Sequence, residues 1–468
     1  MVSDVFPKSE YGHGGTMAFL RESRVDLWRT VLASCLCMVL AIFLGAGCAS
    51  PSLMPTPNLY GHTSDNPFAD VPPVFRTNTV DVIYATDRAP DGNPSKDPKY
   101  GLRRSLSLAF GITTVRIGSD KAGSWDELVT VSRSAERRSS VPMSTVGTRE
   151  VGRFPPVPTR EIKEDGQWVE SRESVDARLA AEAQLKALVA ERLALTPKKD
   201  VYVFIHGTGS DFTSPMYTMA GLWHFMGRCG VPVVYTWPSG GSGDSIGGYD
   251  YDRESSEFTI FHFKQFLLLL AACPGIEKIH IIAHSRGTDI VLSAIRELNI
   301  EIHASGFNTR RVLKLGCLVL AAADMDLEVS SQRVSAERLM QVPEQMVLYV
   351  SPTDLRLRLA SYFFGSKERL GQSHVGDKTP RRTELLKQLP DIEFIDARVA
   401  GSWRDSHFYF YGHPAVSSDL ILLLRDNRGP GAENGRPLAH EPGGLWRIDQ
   451  DYPATHRPVG DVRAKSAD

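Results

Sequence analysis

The sequence predicts an α/β architecture: a mostly parallel, twisted sheet with helices on both faces. Three observations carry this. From residue 200 onward, short apolar strands alternate with helical stretches, the pattern of repeated strand–helix–strand units. Those strands, at 201–205, 231–236 and 278–283, are near-continuous in Val, Ile and aromatics, as in strands buried on both faces. The last of them runs straight into a serine with small residues two positions away on either side, and a helix starts at once.

Composition sets the outer bounds. The chain has 468 residues, 42% apolar and 23% charged, which are globular values. Lys+Arg is 53 against Asp+Glu 55, so no basic excess points to nucleic acid. Six cysteines are too few for a disulfide scaffold. Cys35, Cys37 and Cys48 fall in or at the end of an apolar N-terminal run, leaving Cys229, Cys273 and Cys317 as buried thiols.

The elements follow in order. Residues 31–47 are uncharged and follow Arg21, Arg24 and Arg29, which describes an export signal. The small residues before Cys48 resemble a bacterial lipoprotein signal with Cys48 as the lipidated residue, although Leu44 lies one position further out than usual. A plain signal peptide and an uncleaved short anchor stay open, as do Met1 and Met17 as starts. Either way the protein is expected to be exported, in the bacterial cell envelope, lipid-anchored and periplasm-facing. Residues 1–47 are thus an export segment, and 48–78, rich in proline, a tether. The main domain is expected over 79–426, with strands at 80–84, 105–117 and 128–131 and a polar insertion at 132–173. A helix at 174–195 is closed by Pro197. Then come strand 201–205, helix 215–227, strand 231–236, a glycine-rich loop at 240–248, and a very apolar helix at 255–273. Strand 278–283, helix 287–298, strands 312–322 and 346–351, helix 354–363, strand 392–397 and helix 414–425 complete it. Residues 427–468 read as a loose tail, and no internal repeat occurs.

The chemistry centres on Ala283-His284-Ser285-Arg286-Gly287, a G-x-S-x-G elbow with alanine in the first glycine position. The turn must be sharp enough for the Ser285 hydroxyl to project from the sheet, so its neighbours two residues away must be tiny. The amides of the new helix then face a developing oxyanion. A helix-capping serine is the bland alternative. Upstream, His206-Gly207-Thr208-Gly209 ends an earlier strand and can supply a second donor; Thr208 N–H is the first choice, with Arg286 N–H as its partner. For such an elbow the acid and then the base follow in the chain. Asp354 fits the acid; Asp324, with Asp326 beside it, is the alternative, and either could cap a helix instead. His407 fits the base. His413 precedes a proline and suits capping, and His284 adjoins the serine on the wrong side.

At this point the sequence resembles a known group over about 80–424. VDVIYATDR, VFIHGTGSDF, VPVVYTWPSGGS, YDYDRESSEFT, IHIIAHSRGTDIVL, LVLAAADMD, LYVSPTDLRLRLA and SHFYFYGHPAVSSDL are similar, in order and spacing, to the bacterial alpha/beta-hydrolase family of unknown function 900, an esterase/lipase-like group. The resemblance implies the alpha/beta-hydrolase fold and maps that family's triad onto Ser285, Asp354 and His407. Arg286 and Thr208-Gly209 depart from its usual residues, but both positions act through backbone N–H. The glycine-rich loop matches no phosphate-binding motif, and no metal-ligand spacing occurs, so no cofactor or metal is expected. The expected activity is cleavage of a carboxylic ester, small or lipid-like, through an acyl-enzyme. Acyl transfer to an alcohol, and a catalytically silent envelope binding or scaffolding protein, are the alternatives.

Overall fold

The computed structural model describes residues 51–61, 66–92, 99–119, 124–240, 245–363, 368–372, 391–397, 406–441 and 444–454. The expected export signal, Cys48 and the two candidate starts lie outside them. Among the described residues no helix is long and apolar enough to cross a membrane.

Eleven strands among the described residues form one sheet. In chain order they are β1 (Thr79–Asp91), β2 (Lys99–Ile117), β3 (Met143–Arg153), β6 (Asp200–Ile205), β7 (Val231–Thr236), β8 (Lys278–His284), β9 (Leu315–Ala321), β10 (Gln345–Val350), β11 (Ile392–Asp396), β12 (Ala439–Glu441) and β13 (Leu445–Arg447). Two further strands, β4 (Glu161–Glu164) and β5 (Gln167–Glu170), make a separate hairpin. Across the sheet the order is β12-β13-β11-β10-β9-β8-β6-β7-β1-β2-β3. Every pairing from β1 through β11 to β13 is parallel; the two rims, β1-β2-β3 and β12-β13, are antiparallel.

The central strands show why the sheet is buried twice. All six residues of β6 are buried. Val201, Val203 and Ile205 face one core, filled from α2 (Arg172–Ala194), α4 (Ser245–Ala271) and α5 (Gly287–Ala304). Tyr202 and Phe204 face the other, filled from α3 (Ser214–Phe225) and α7 (Pro414–Leu424). Successive side chains alternate between faces, so only a strand apolar at every position satisfies both layers.

Several boundaries differ from the expectation. Residues 128–131 are helical: α1 (Trp125–Ser132) is opened by a capping box between Ser124 and Glu127. The polar insertion contains β3, which pairs with β2 from Ile117↔Met143 to Ala109↔Arg153 and forms the rim of the sheet. Its polar pattern is that of an edge strand with one half-exposed face. The helix expected at 255–273 spans Ser245–Ala271, so it takes in Tyr249-Asp-Tyr-Asp-Arg-Glu254 and residues 245–248 of the glycine-rich loop expected at 240–248.

The tether and the tail are also packed where they are described. Leu53, Met54, Leu59, Tyr60, Phe68 and Val71 are buried in the α3–α7 core. Proline removes backbone donors, but amides between the prolines find partners: Leu53 N donates to Val141 O at 2.8 Å and Leu59 N to Ser418 Oγ at 3.0 Å. At the other end, Arg436 is fully buried, its Nε 2.8 Å from Asp419 Oδ1 and its Nη1 2.7 Å from Glu393. The hydroxyls of Tyr349 and Tyr452 complete the Asp419 carboxylate at 2.6 and 2.7 Å. Asn58 Nδ2 donates to the carbonyls of Gln450 and Tyr452, both at 2.9 Å, so the two ends of the packed unit meet. The packed unit therefore extends beyond 79–426 in both directions, to residues 51 and 454.

Candidate active site

Strand β8 delivers Ser285 to a left-handed turn, φ 52°, before α5 opens at Gly287. A non-glycine residue in that region costs about 1–2 kcal/mol, so surrounding contacts must impose it. They do: Ser285 N donates to Ala321 O at 2.9 Å, and Ser285 O accepts from Thr288 Oγ1 at 2.6 Å and Asp324 N at 3.2 Å. The turn also needs the small residues expected around it. A Cβ on Gly287 would lie 2.6 Å from the carbonyl oxygen of His206, and one on Gly207 would lie 2.6 Å from Ser285 Cβ. The neighbouring strand β6 and its loop therefore sit directly against the serine.

That loop carries the expected oxyanion donor. His206 is buried and its Nε2 accepts from Trp237 N at 3.2 Å, which leaves Nδ1–H to donate to Gly207 O at 2.8 Å. Burial pushes its pKa down to about 3, so the ring is neutral. Because the peptide bond is planar and trans, holding the Gly207 carbonyl also fixes the direction of the Thr208 N–H. Arg286, the other expected donor, has helical φ and ψ as the residue before α5. Its side chain turns to Ser256 Oγ (3.3 Å) and Asp289 (3.4 Å).

The expected acid and the expected base meet. Asp354, fully buried after the turn that follows β10, places Oδ2 2.7 Å from His407 Nδ1. Its Oδ1 accepts from the amides of Arg356 and Leu357 at 3.0 and 3.1 Å, capping α6 (Leu355–Phe363). One carboxylate thus serves both roles that the sequence left open. Among the described residues no hydrogen bond joins Asp324 to His407; Asp324 accepts from Tyr249 OH at 2.8 Å and lies 3.4 Å from Arg369 Nε. Asp326 caps a short helix, and His413 caps α7 through Ala415 N. Among the described residues no hydrogen bond joins Ser285 Oγ to His407; in unliganded sites that contact is often long and tightens with substrate.

Two residues at the site were not expected to have a part in it. His284, set aside from the sequence, donates Nε2–H to the His407 carbonyl at 3.2 Å, and its ring lies 4.8 Å from the His407 ring. Burial holds its pKa well below the ordinary value, so it is neutral. Tyr409 donates its hydroxyl to Tyr349 O at 2.8 Å and accepts from Ala322 N at 3.0 Å, tying β9 and β10 to the histidine loop. The aromatic run at 408–411 was the visible signal. Among the described residues, no group of three or more His, Cys, Asp or Glu side chains converges as a metal site would.

The arrangement is a strained serine, a buried imidazole–carboxylate pair and an amide-bearing loop at the carboxyl ends of neighbouring parallel strands. No curated protein matches the chain. Among solved structures, a lipase-esterase related protein from Clostridium acetobutylicum ATCC 824 aligns at 11% identity over 49% of this chain and 95% of its own, with a TM-score of 0.26, too low to bear on function. The model of the family described as alpha/beta hydrolase of unknown function (DUF900) matches residues 181–425, just over half of the chain. With the sheet order above, this match establishes that the chain belongs to that alpha/beta-hydrolase family.

Proposed function

We propose that the protein is a serine hydrolase that cleaves carboxylic esters through an acyl-enzyme. The observation that carries this is the buried 2.7 Å contact between Asp354 and His407, on the same sheet edge as the strained Ser285. Ser285 Oγ attacks the ester carbonyl while His407 Nε2 takes its proton. Asp354 holds the Nδ1–H tautomer and stabilises the imidazolium that forms. The N–H groups of Thr208 and Arg286 receive the developing oxyanion, at about 3 kcal/mol per donor. His407 then gives its proton to the departing alcohol, and water repeats the sequence to release the acid. Ser285→Ala is expected to lose both hydrolysis of short p-nitrophenyl esters and labelling by a fluorophosphonate. A folded Ser285→Ala protein that labels as the parent does would exclude this function.

The N-terminal pattern supports a second proposal: the chain is exported and held at the bacterial envelope by a lipid on Cys48. Cys48→Ala should then release it from the membrane fraction. Retention of that variant in membranes would point to an uncleaved anchor instead.

A further inference from the structure

Two buried charges near the site take no part in the chemistry above. Arg88 in β1 is fully buried, and Asp252 in α4 is 2% exposed. Both turn to the same pair of loops, the one after β6 that carries Thr208 and the one after β7. Asp252 accepts from the amides: Gly209 N on Oδ2 and Gly240 N on Oδ1, each at 2.8 Å. Arg88 donates to the carbonyls one residue away: Nη2 to Ser210 O at 2.7 Å and Nη1 to Ser239 O at 3.2 Å. Its remaining donors reach Thr236 Oγ1 at 3.1 Å and Gly101 O at 3.0 Å. Ser239 Oγ closes the set, accepting from Ser210 N at 3.2 Å and donating to Ser210 O at 3.0 Å. An anion therefore gathers the amides of both loops, and a cation gathers their carbonyls.

The glycines make the stitch possible. Gly209 and Gly240 have φ of +70° and +99°, which turns their N–H groups toward α4. With the Gly209 amide committed to Asp252 and the Gly207 carbonyl to His206, the Thr208 N–H between them keeps no partner among the described residues. It is thereby reserved for an oxyanion, on a loop whose Gly207 lies against Ser285.

We infer that Arg88 and Asp252 are positioning residues that hold the Thr208 amide in place for the oxyanion. This rests on the ester-hydrolase function proposed above. It assigns a task to the TDR and YDYDRE segments of the sequence, which the triad leaves unused. A donor fixed before the substrate arrives costs no reorganisation during the reaction, and losing one costs about 10²–10³-fold in kcat. Charged partners suit the task because hydrogen bonds to ions are shorter and stronger than neutral ones.

The test is Asp252→Asn, near-isosteric but placing an amide –NH2 against one of the two glycine N–H groups. Three quantities are measured: kcat and KM on p-nitrophenyl esters, the rate of fluorophosphonate labelling of Ser285, and the melting temperature. A folded variant whose kcat and labelling rate both fall on the order of 10²-fold, with KM within a few-fold, supports the inference. A purely structural role would lower the melting temperature and leave kcat per folded molecule intact; a folded variant with kcat and labelling near the parent's overturns it. If Asp252→Asn does not fold, Ser239→Ala carries the same measurements, with about a 10-fold loss expected for a single loop tie and parental values overturning the inference. Ser285→Ala is run beside them. If it retains labelling, the hydrolase function fails; if it is silent while folded Asp252→Asn is fully active, only the positioning role fails.

Discussion

Gly207→Ala offers a direct measure of how closely the loop that carries Thr208 is seated on Ser285. The added Cβ would lie 2.6 Å from Ser285 Cβ and 3.1 Å from its Oγ, where ordinary contact starts at 3.4 Å. The closer contact is thus about 0.8 Å short, and neither side yields easily. Ser285 is fixed by its turn, and the loop is tied by His206, Asp252 and Arg88. Overpacking of this kind costs about 1–3 kcal/mol, within what a domain with a net stability of about 5–15 kcal/mol tolerates. The catalytic cost is larger, because a misplacement of about 1 Å at the reacting groups can cost ~10²-fold in rate. The assay is kcat/KM on a p-nitrophenyl ester alongside thermal unfolding. The expected result is a folded protein about 10²-fold less active. Gly209→Ala is the control: no atom lies within 4 Å of its Cβ site, although φ is +70°. It should lose about 1–2 kcal/mol of stability to backbone strain and only a several-fold activity. A folded Gly207→Ala enzyme with kcat/KM near the parent's would refute the packing of this loop against Ser285.

Two further outcomes follow from buried charge. Arg436→Leu leaves Asp419 buried beside two tyrosine hydroxyls without its cation, and should cost about 3–5 kcal/mol in urea unfolding; a loss under about 1 kcal/mol would contradict the buried pair. His206, His224 and His284 have folded pKa values pushed below 6.5 by burial, so on unfolding they take up protons that the native state refuses. Stability is then unaffected above about pH 6.5 and falls as pH drops below it, by up to about 1.4 kcal/mol per pH unit per histidine. Melting temperatures measured from pH 8 to pH 5 should show that decline, and His224→Gln should make it shallower by one histidine's share; a curve unchanged by the substitution would argue against a neutral buried His224.

What the sequence disclosed and what it hid divide along a physical line. The β6 and β8 strands, the elbow at Ser285 and the order of Asp354 and His407 were legible because each depends on local pattern or on a fixed chain order. Strand β3 was not, since Met143–Arg153 owes its conformation to pairing with β2 rather than to its own polar residues. Residues 128–131 look like a strand by composition, yet the Ser124–Glu127 capping box just upstream marks a helix start. The proline-rich stretch and the C-terminal stretch read as loose because prolines and charges dominate them. Their order comes from partners hundreds of positions away, such as Asn58 with Tyr452, which no local window contains. Arg88 and Asp252 were visible as charged residues in shared motifs, but their task depends on two loops brought together by the β6–β7 pairing.

The meeting of Asn58 with Gln450 and Tyr452 has a consequence for biosynthesis. A ribosome that has released residues 53–60 must still add almost four hundred amino acids before their last partners emerge. The nascent chain can assemble its central layers early, yet its opening segment stays unfinished until translation nears its end. The first part of the packed unit to be made is thus among the last to be secured.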